Sequence, residues 1–196
     1  MSAFLAPIHF WMYDKILIAQ ELTFKLEEKF LNKEEREEVE SLFPGLYSKD
    51  LEEVIDQSNI HGWLHIAVSN VEIRFAYIVK TLLDKGISLE EIKKVAFEYG
   101  KTFPEQEVSS LKDAYELLMD ILLDGLPCDV SISVAREEEN ELEFVLYNDI
   151  HKQYFNEFDL EVSLYHEIRE AFVNGILERY ALKYKNISDS NKLITR

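Results

Sequence analysis

The sequence predicts a mainly α (α+β) fold: a multi-helix bundle with one small antiparallel β-hairpin near 129–148 and a C-terminal helix. Three observations carry this. Apolar residues recur at spacings of three and four over most of the chain. Capping signals and glycine or proline stops divide that pattern into helix-sized pieces. The period then drops to two in "DVSISVA" (129–135) and again in "LEFVLYN" (142–148), as in strands whose alternate side chains face a core.

The first helix is expected from Pro7, whose fixed φ suits a first helical position, to about Phe30. Asn32 with Glu35 has the spacing of a capping box and opens an acidic second helix, which Pro44–Gly45 stops. Ser48 can cap a short helix over about 49–57. A long apolar helix follows over 60–85 despite Gly62, and ends at Gly86. Ser88 and Glu91 open the next, ending near Gly100, and another covers about 106–124 before Gly125 and Pro127. The two strands come next, joined by the acidic stretch 136–141. Matching Val130, Ile132 and Val134 to Leu142, Phe144 and Leu146 sets residue 132 opposite 144 and 130 opposite 146. Helical periodicity returns over 149–158 and 161–185, and the polar tail 186–196 is expected to be loose. A length of 196 residues gives one domain, over 1–185, with the hairpin as an insertion.

Composition restricts the function classes. The net charge of −17 opposes nucleic acid and anionic membrane surfaces, so neither is expected as a partner. The acidic runs "KEEREEVE" (33–40) and "REEENELE" (136–143) read as solvated faces and a turn, or as a docking surface for a basic partner. Cys128 is the single cysteine, which rules out an intrachain disulfide and fits a reducing compartment. The opening "MSAFLAPIHFWMYDK" lacks the basic start of a secretory signal. No apolar run reaches the roughly 18–20 residues of a membrane span. A cytoplasmic protein is expected.

Chemistry-bearing residues fall in four places. In "NIHGWLH", His61 and His65 lie one helical turn apart, with Ser69 and Glu72 further along the same stripe. Two such imidazoles can share a metal ion, although Gly62 stands where a zinc-protease motif needs its glutamate. His9 sits in the first turn of the first helix, where the helix dipole favours a neutral imidazole able to ligate a metal. Trp11, Tyr13 and Trp63 read as core or as the wall of a ligand pocket. The hairpin then brings Cys128 and Asp129 of "GLPCD" near Asp149 and His151 of "NDIH". Thiol, imidazole and carboxylate together can generate a thiolate nucleophile or hold a thiophilic metal. Finally, His166 and Glu170 share a face in "YHEIRE"; such a pair could complete a metal site or orient a ligand, and the mixed charge with Arg169 points to a solvated surface.

The order Pro7–Ile8–His9, Asn59–Ile60–His61, Gly125–Leu126–Pro127–Cys128–Asp129 and Asp149–Ile150–His151 resembles uncharacterised small helical proteins of anaerobic Gram-positive bacteria, over nearly the whole chain. That resemblance brings no assigned function. A helical half followed by a hairpin and a terminal helix is distantly similar to L-2-amino-thiazoline-4-carboxylate hydrolase-like proteins, which implies hydrolysis. Those proteins carry further cysteines after the hairpin. Here that segment has Asn148, Asp149 and His151, and no catalytic residue is carried over.

These readings converge on a polar pocket that binds a small molecule or metal ion, with a hydrolase-type reaction as the enzymatic version. Cys128 would be its nucleophile, His151 its base and Asp149 the orienting carboxylate. His9, Trp11, Tyr13, Trp63 and Asp129 would contact the ligand. A divalent transition metal would be held by His61, His65, His9 and His151. The alternative is a non-catalytic helical protein, a homodimer or a ligand sensor, with Trp11, Trp63 and Phe75 at its interface. No Walker A loop, dinucleotide-binding glycine motif, Gly-x-Ser-x-Gly elbow or paired Cys-x-x-Cys occurs.

Overall fold

Side-chain caps set where most of the helices start. The computed structural model describes residues 4–48, 50–126 and 132–196. Helix α1 (Pro7–Phe30) leads to α2 (Lys33–Leu42), which starts on the expected reciprocal bonds between Asn32 and Glu35. The short α3 (Leu51–Val54) is capped by Asp50 rather than Ser48, which shortens the expected helix. Asn59 caps the long α4 (Ile60–Asp84), and Gly86, at φ +81°, supplies the left-handed turn that ends it. Ser88 and Glu91 open α5 (Leu89–Lys101) as predicted.

Helix α6 (Leu111–Ile121) is shorter than expected at both ends. The Asp113 carboxylate accepts the Ser109 and Ser110 N–H groups, so the chain turns into the helix only at that point. At the other end Leu122 turns extended, at φ −80° and ψ 132°. That break directs Asp124 into the core.

Strands β1 (Ile132–Glu137) and β2 (Glu141–Leu146) form the predicted hairpin in a different register. Ile132 pairs with Leu146 and Val134 with Phe144, so residue 132 does not face 144 as expected. The strand runs on into the acidic stretch because Arg136 neutralises it, contacting Glu138 at 2.9 Å and Glu141 at 3.0 Å. A bulge between Val134 and Arg136 absorbs the extra residue. After α7 (His151–Asn156) and α8 (Val162–Leu177), a 3-10 turn at Glu178–Tyr180 ends the helical run. The expected helix to 185 is therefore cut short.

The tail expected to be loose contains a strand. β3 (Lys183–Asn186) and β4 (Asn191–Thr195) complete an antiparallel sheet of order β1-β2-β4-β3. β4 lies inside it, with Phe144 opposite Lys192 and Tyr184 opposite Ile194. Alternation explains this: Tyr184, Lys192 and Ile194 are buried, while Lys183 and Lys185 point out. Asn174 of α8 pins the edge by exchanging two hydrogen bonds with the Tyr184 backbone, at 2.8 and 3.0 Å. The α-helical and sheet content agrees with the α+β expectation. Among the described residues no helix is long and apolar enough to cross a membrane.

Candidate functional site

The apolar stripe of α4 faces the core as its spacing predicts, with Leu64, Val68, Val71, Phe75 and Ile78 all buried. Glu72 is carried inward beside them. A buried carboxylate needs a partner, and His151 is that partner: its Nδ1 lies 2.9 Å from Glu72 Oε2. The Asp149 side chain sets the ring's position by accepting the His151 backbone N–H at 3.0 Å. On the far side of the ring, Nε2 stands 3.5 Å from Asp124 Oδ1.

Both ring nitrogens therefore face carboxylate oxygens, which only accept hydrogen bonds. His151 must carry two protons. Burial alone would depress its pKa, but the Glu72 charge and the bonds from Asp124 and Glu72 push it up to about 9. Tyr165 stacks on the ring at 3.7 Å and 16°, a cation–π contact with an imidazolium. An imidazolium has no lone pair, so in this state His151 can serve neither as the expected general base nor as the expected metal ligand.

Asp124 is held by the Arg169 guanidinium, which bonds both carboxylate oxygens. Burial acts to raise the Asp124 pKa, but Arg169 and His151 hold it well below the usual carboxylate range. Arg169 is itself buried, so the expected solvated face on α8 is an inward one. His166 follows the same rule. Its Nε2 lies 2.8 Å from Asp149 Oδ2, and its Nδ1 lies 3.3 Å from Lys192 Nζ. Lys192 is 0% exposed and also donates to the Ser188 and Asp189 carbonyls. A continuous polar chain thus runs from β4 through His166, Asp149 and His151 to Glu72, and through Asp124 to Arg169.

Beside this chain lies a pocket of about 50 Å³. Ile18 and Ala19 of α1, Val71 and Phe75 of α4, Leu122, and Ile168 of α8 form most of its wall. Glu72, Tyr165 and Arg169 close its polar end.

The remaining predicted residues sit elsewhere. His9 Nδ1 accepts the Ala6 N–H at 3.0 Å, and burial followed by repulsion from His61 lowers its pKa. Its proton is therefore on Nε2, where a metal would have to bind. His61 meets the His9 ring edge-on at 5.5 Å, and both His61 and His65 are exposed. Eleven positions of α4 separate His61 from Glu72, about 16 Å along the axis. His9, His61, His65 and His151 are thus not gathered at one point. Among the described residues no group of three or more His, Cys, Asp or Glu side chains could hold a metal ion.

Trp11 donates to Asp120 at 3.0 Å, and Tyr13 donates to the Ser48 carbonyl at 2.6 Å with Trp63 tilted against it at 5.9 Å. Tyr13 and Trp63 belong to the packed core under α1 and α4 rather than to the pocket wall. Phe75 belongs to the core and lines the pocket rather than an interface. Cys128 and Asp129 lie outside the described residues. The sequence reading missed Asp124, Tyr165 and Lys192, and it set His166 and Arg169 on a solvated face. A signal for two of them was present: His166 and Arg169 continue the line Val162, Tyr165, Phe172, Ile176 that faces the core.

The charges predict a pH profile. The His151 pKa is raised, so its contribution to stability is complete below the unfolded value near 6.5 and is lost as pH rises through about 9. His9 and His166 have lowered pKa values, so they make stability rise with pH up to about 6.5. Lys15 and Lys192, each depressed to about 8, add stability again above that pH. Unfolding free energy should peak near pH 6.5 and fall by about 2 kcal/mol by pH 8. Urea titrations at both pH values, repeated on His151→Gln, check this. The variant should be less stable throughout, with the fall abolished; an unchanged fall would mean another group causes it.

No protein-family model matches the chain, and no curated protein or solved structure matches it.

Proposed function

We propose that this chain is a non-catalytic small-molecule-binding domain, with its ligand in the pocket between α1, α4, residues 121–123 and α8. One observation carries this reading: an apolar-walled pocket ends on ionised side chains that are already fixed by partners inside the protein. Fixed polar groups at one end of an apolar pocket orient a ligand. The paired charges suit binding better than proton transfer, because His151 is held as an imidazolium by two carboxylates. That favours ligand binding or sensing over hydrolysis.

Pocket size restricts the ligand. About 50 Å³ holds a body of roughly three to five non-hydrogen atoms. A ligand this small should bind with Kd on the order of 1 mM. 1-Butanol, titrated into labelled protein and followed by amide NMR, should shift the resonances of Val71, Ile168 and Phe172 saturably. Ala19→Leu places extra carbons in the pocket and should abolish that shift. The variant should remain folded, within about 1 kcal/mol of wild type, because it fills space rather than displacing packed atoms. Non-saturating shifts, or shifts that persist in Ala19→Leu, would refute the assignment.

A further inference from the structure

We infer that the occupant of this pocket is a short carboxylate, with its alkyl body between α1 and α8 and its anionic head at the Lys15–Arg169 end. The inference rests on the pocket reading above and adds the ligand's charge. Its first support is how charge is shared out inside the protein. Arg169 and His151 are held by carboxylates, Arg169 by Asp124 and His151 by Glu72 and Asp124, while Lys192 lies against His166 and donates to the Ser188 and Asp189 carbonyls. A buried cation without such a direct partner is unfavourable until an anion joins it.

The second support is Lys15, the cation left over. It is 6% exposed, yet among the described residues its ammonium has no hydrogen-bond or ion-pair partner. Its close contact is the face of the Trp11 ring, 3.8 Å from the ring centroid. Arg169, by contrast, is bonded to Asp124 through both terminal nitrogens, although among the described residues its buried Nε has no partner, and His151 is bonded to Glu72 and Asp124. Lys15 stands one helical turn before Ile18 and Ala19, which wall the pocket, so it shares their face of α1. The charged groups acting on it are Asp120 on α6, Asp124 after α6, and Arg169 on α8. Burial lowers its pKa to about 8 against the pull of the two aspartates. A carboxylate arriving there would supply the missing counter-charge. Glu72 does not oppose it, because its charge is committed to His151.

Butyrate and butyramide, which share one shape and differ in charge, place their carbon chain in the pocket with the head group beyond it at the Lys15 end, and they test the inference by calorimetric titration of the full chain at pH 8. Butyrate should bind at least tenfold more tightly than butyramide. It should also take up a fraction of a proton as Lys15 becomes fully charged, seen as an enthalpy that varies with the buffer's ionisation enthalpy. Lys15→Met should reduce the butyrate preference to under threefold. Lys15→Arg should keep the preference while losing the proton uptake, which separates loss of charge from loss of fold. Butyramide binding as well as butyrate would overturn the carboxylate assignment and leave the pocket standing. A preference undiminished in Lys15→Met would overturn the role of Lys15. Binding of neither probe, nor of 1-butanol, would overturn the pocket reading as well.

Discussion

Arg169→Met should lower the unfolding free energy by about 3–5 kcal/mol, the usual penalty for removing one partner of a buried ion pair. Asp124 would lose the bidentate clamp that holds both oxygens. Loss of that counter-charge favours uptake of a proton or entry of water at the buried carboxylate. The variant should therefore also lose cooperativity in urea unfolding followed by circular dichroism. Asp124→Leu combined with Arg169→Met supplies the contrast. Apolar replacement of a buried pair is often neutral or stabilising, by about 1–4 kcal/mol relative to the intact pair. The double variant should recover most of the loss, although His151 would then keep only Glu72. A single variant within about 1 kcal/mol of wild type would mean that the cluster is hydrated and weakly coupled, and the preorganised end of the pocket would go with it.

Recovery of stability by apolar side chains bears directly on function. If the cluster served the fold alone, a packed Leu–Met pair would serve as well. The side chains instead come from α4, α7, α8, β4 and the segments at 124 and 149, brought together from across the sequence. That arrangement fixes charge at the pocket's polar end before any ligand arrives, and preorganisation of this kind is what a weak small-molecule site requires.

Local chemistry explains which parts of the structure could be read from the chain. Asn32–Glu35 and Ser88–Glu91 announced two helix starts because a capping box closes within four residues. Gly86 announced an end for the same local reason. The hairpin was visible in its period but not in its register, because Arg136 and the bulge extend the strand into residues that look like a loop. β4 escaped because "NKLITR" is short, its adjacent Leu193 and Ile194 show no period of two, and its place depends on β2, more than forty residues earlier. The site follows the same division. Asp149 and His151 were singled out from their neighbourhood in sequence, and the backbone bond between them is local. Asp124, His166, Arg169 and Lys192 are ordinary surface residue types, and only tertiary contacts bury them. Their partners lie 26 or 45 positions away for Lys192–His166 and Arg169–Asp124, beyond what periodicity can report.

The second large effect is expected at a residue with no side chain. Gly175 of α8 and Gly100 of α5 bring two helix backbones into direct contact. A Cβ on Gly175 would stand 2.1 Å from the Phe97 carbonyl oxygen, and one on Gly100 would stand 2.1 Å from the Phe172 carbonyl oxygen. Neither obstacle can rotate aside, because both are helix backbone. The helices would have to separate by about 1 Å or more to restore ordinary contact. Separation would also loosen the stacking of Tyr99 on Phe172, now at 5.3 Å and 16°. Gly175→Ala should therefore cost about 3 kcal/mol, at the upper end for overpacking, despite the gain in helix propensity. For a chain of this length, that lowers Tm by roughly 6–12 °C. Because one gap serves both glycines, adding Gly100→Ala should cost clearly less than it does alone. Thermal unfolding of the two single variants and the double variant measures this coupling. Additive losses would show that each glycine is limited by its own surroundings and not by a shared approach. The proposed binding site should respond too, since α8 carries Tyr165, His166 and Arg169: displacement of that helix should weaken binding of a pocket probe even where the folded state survives.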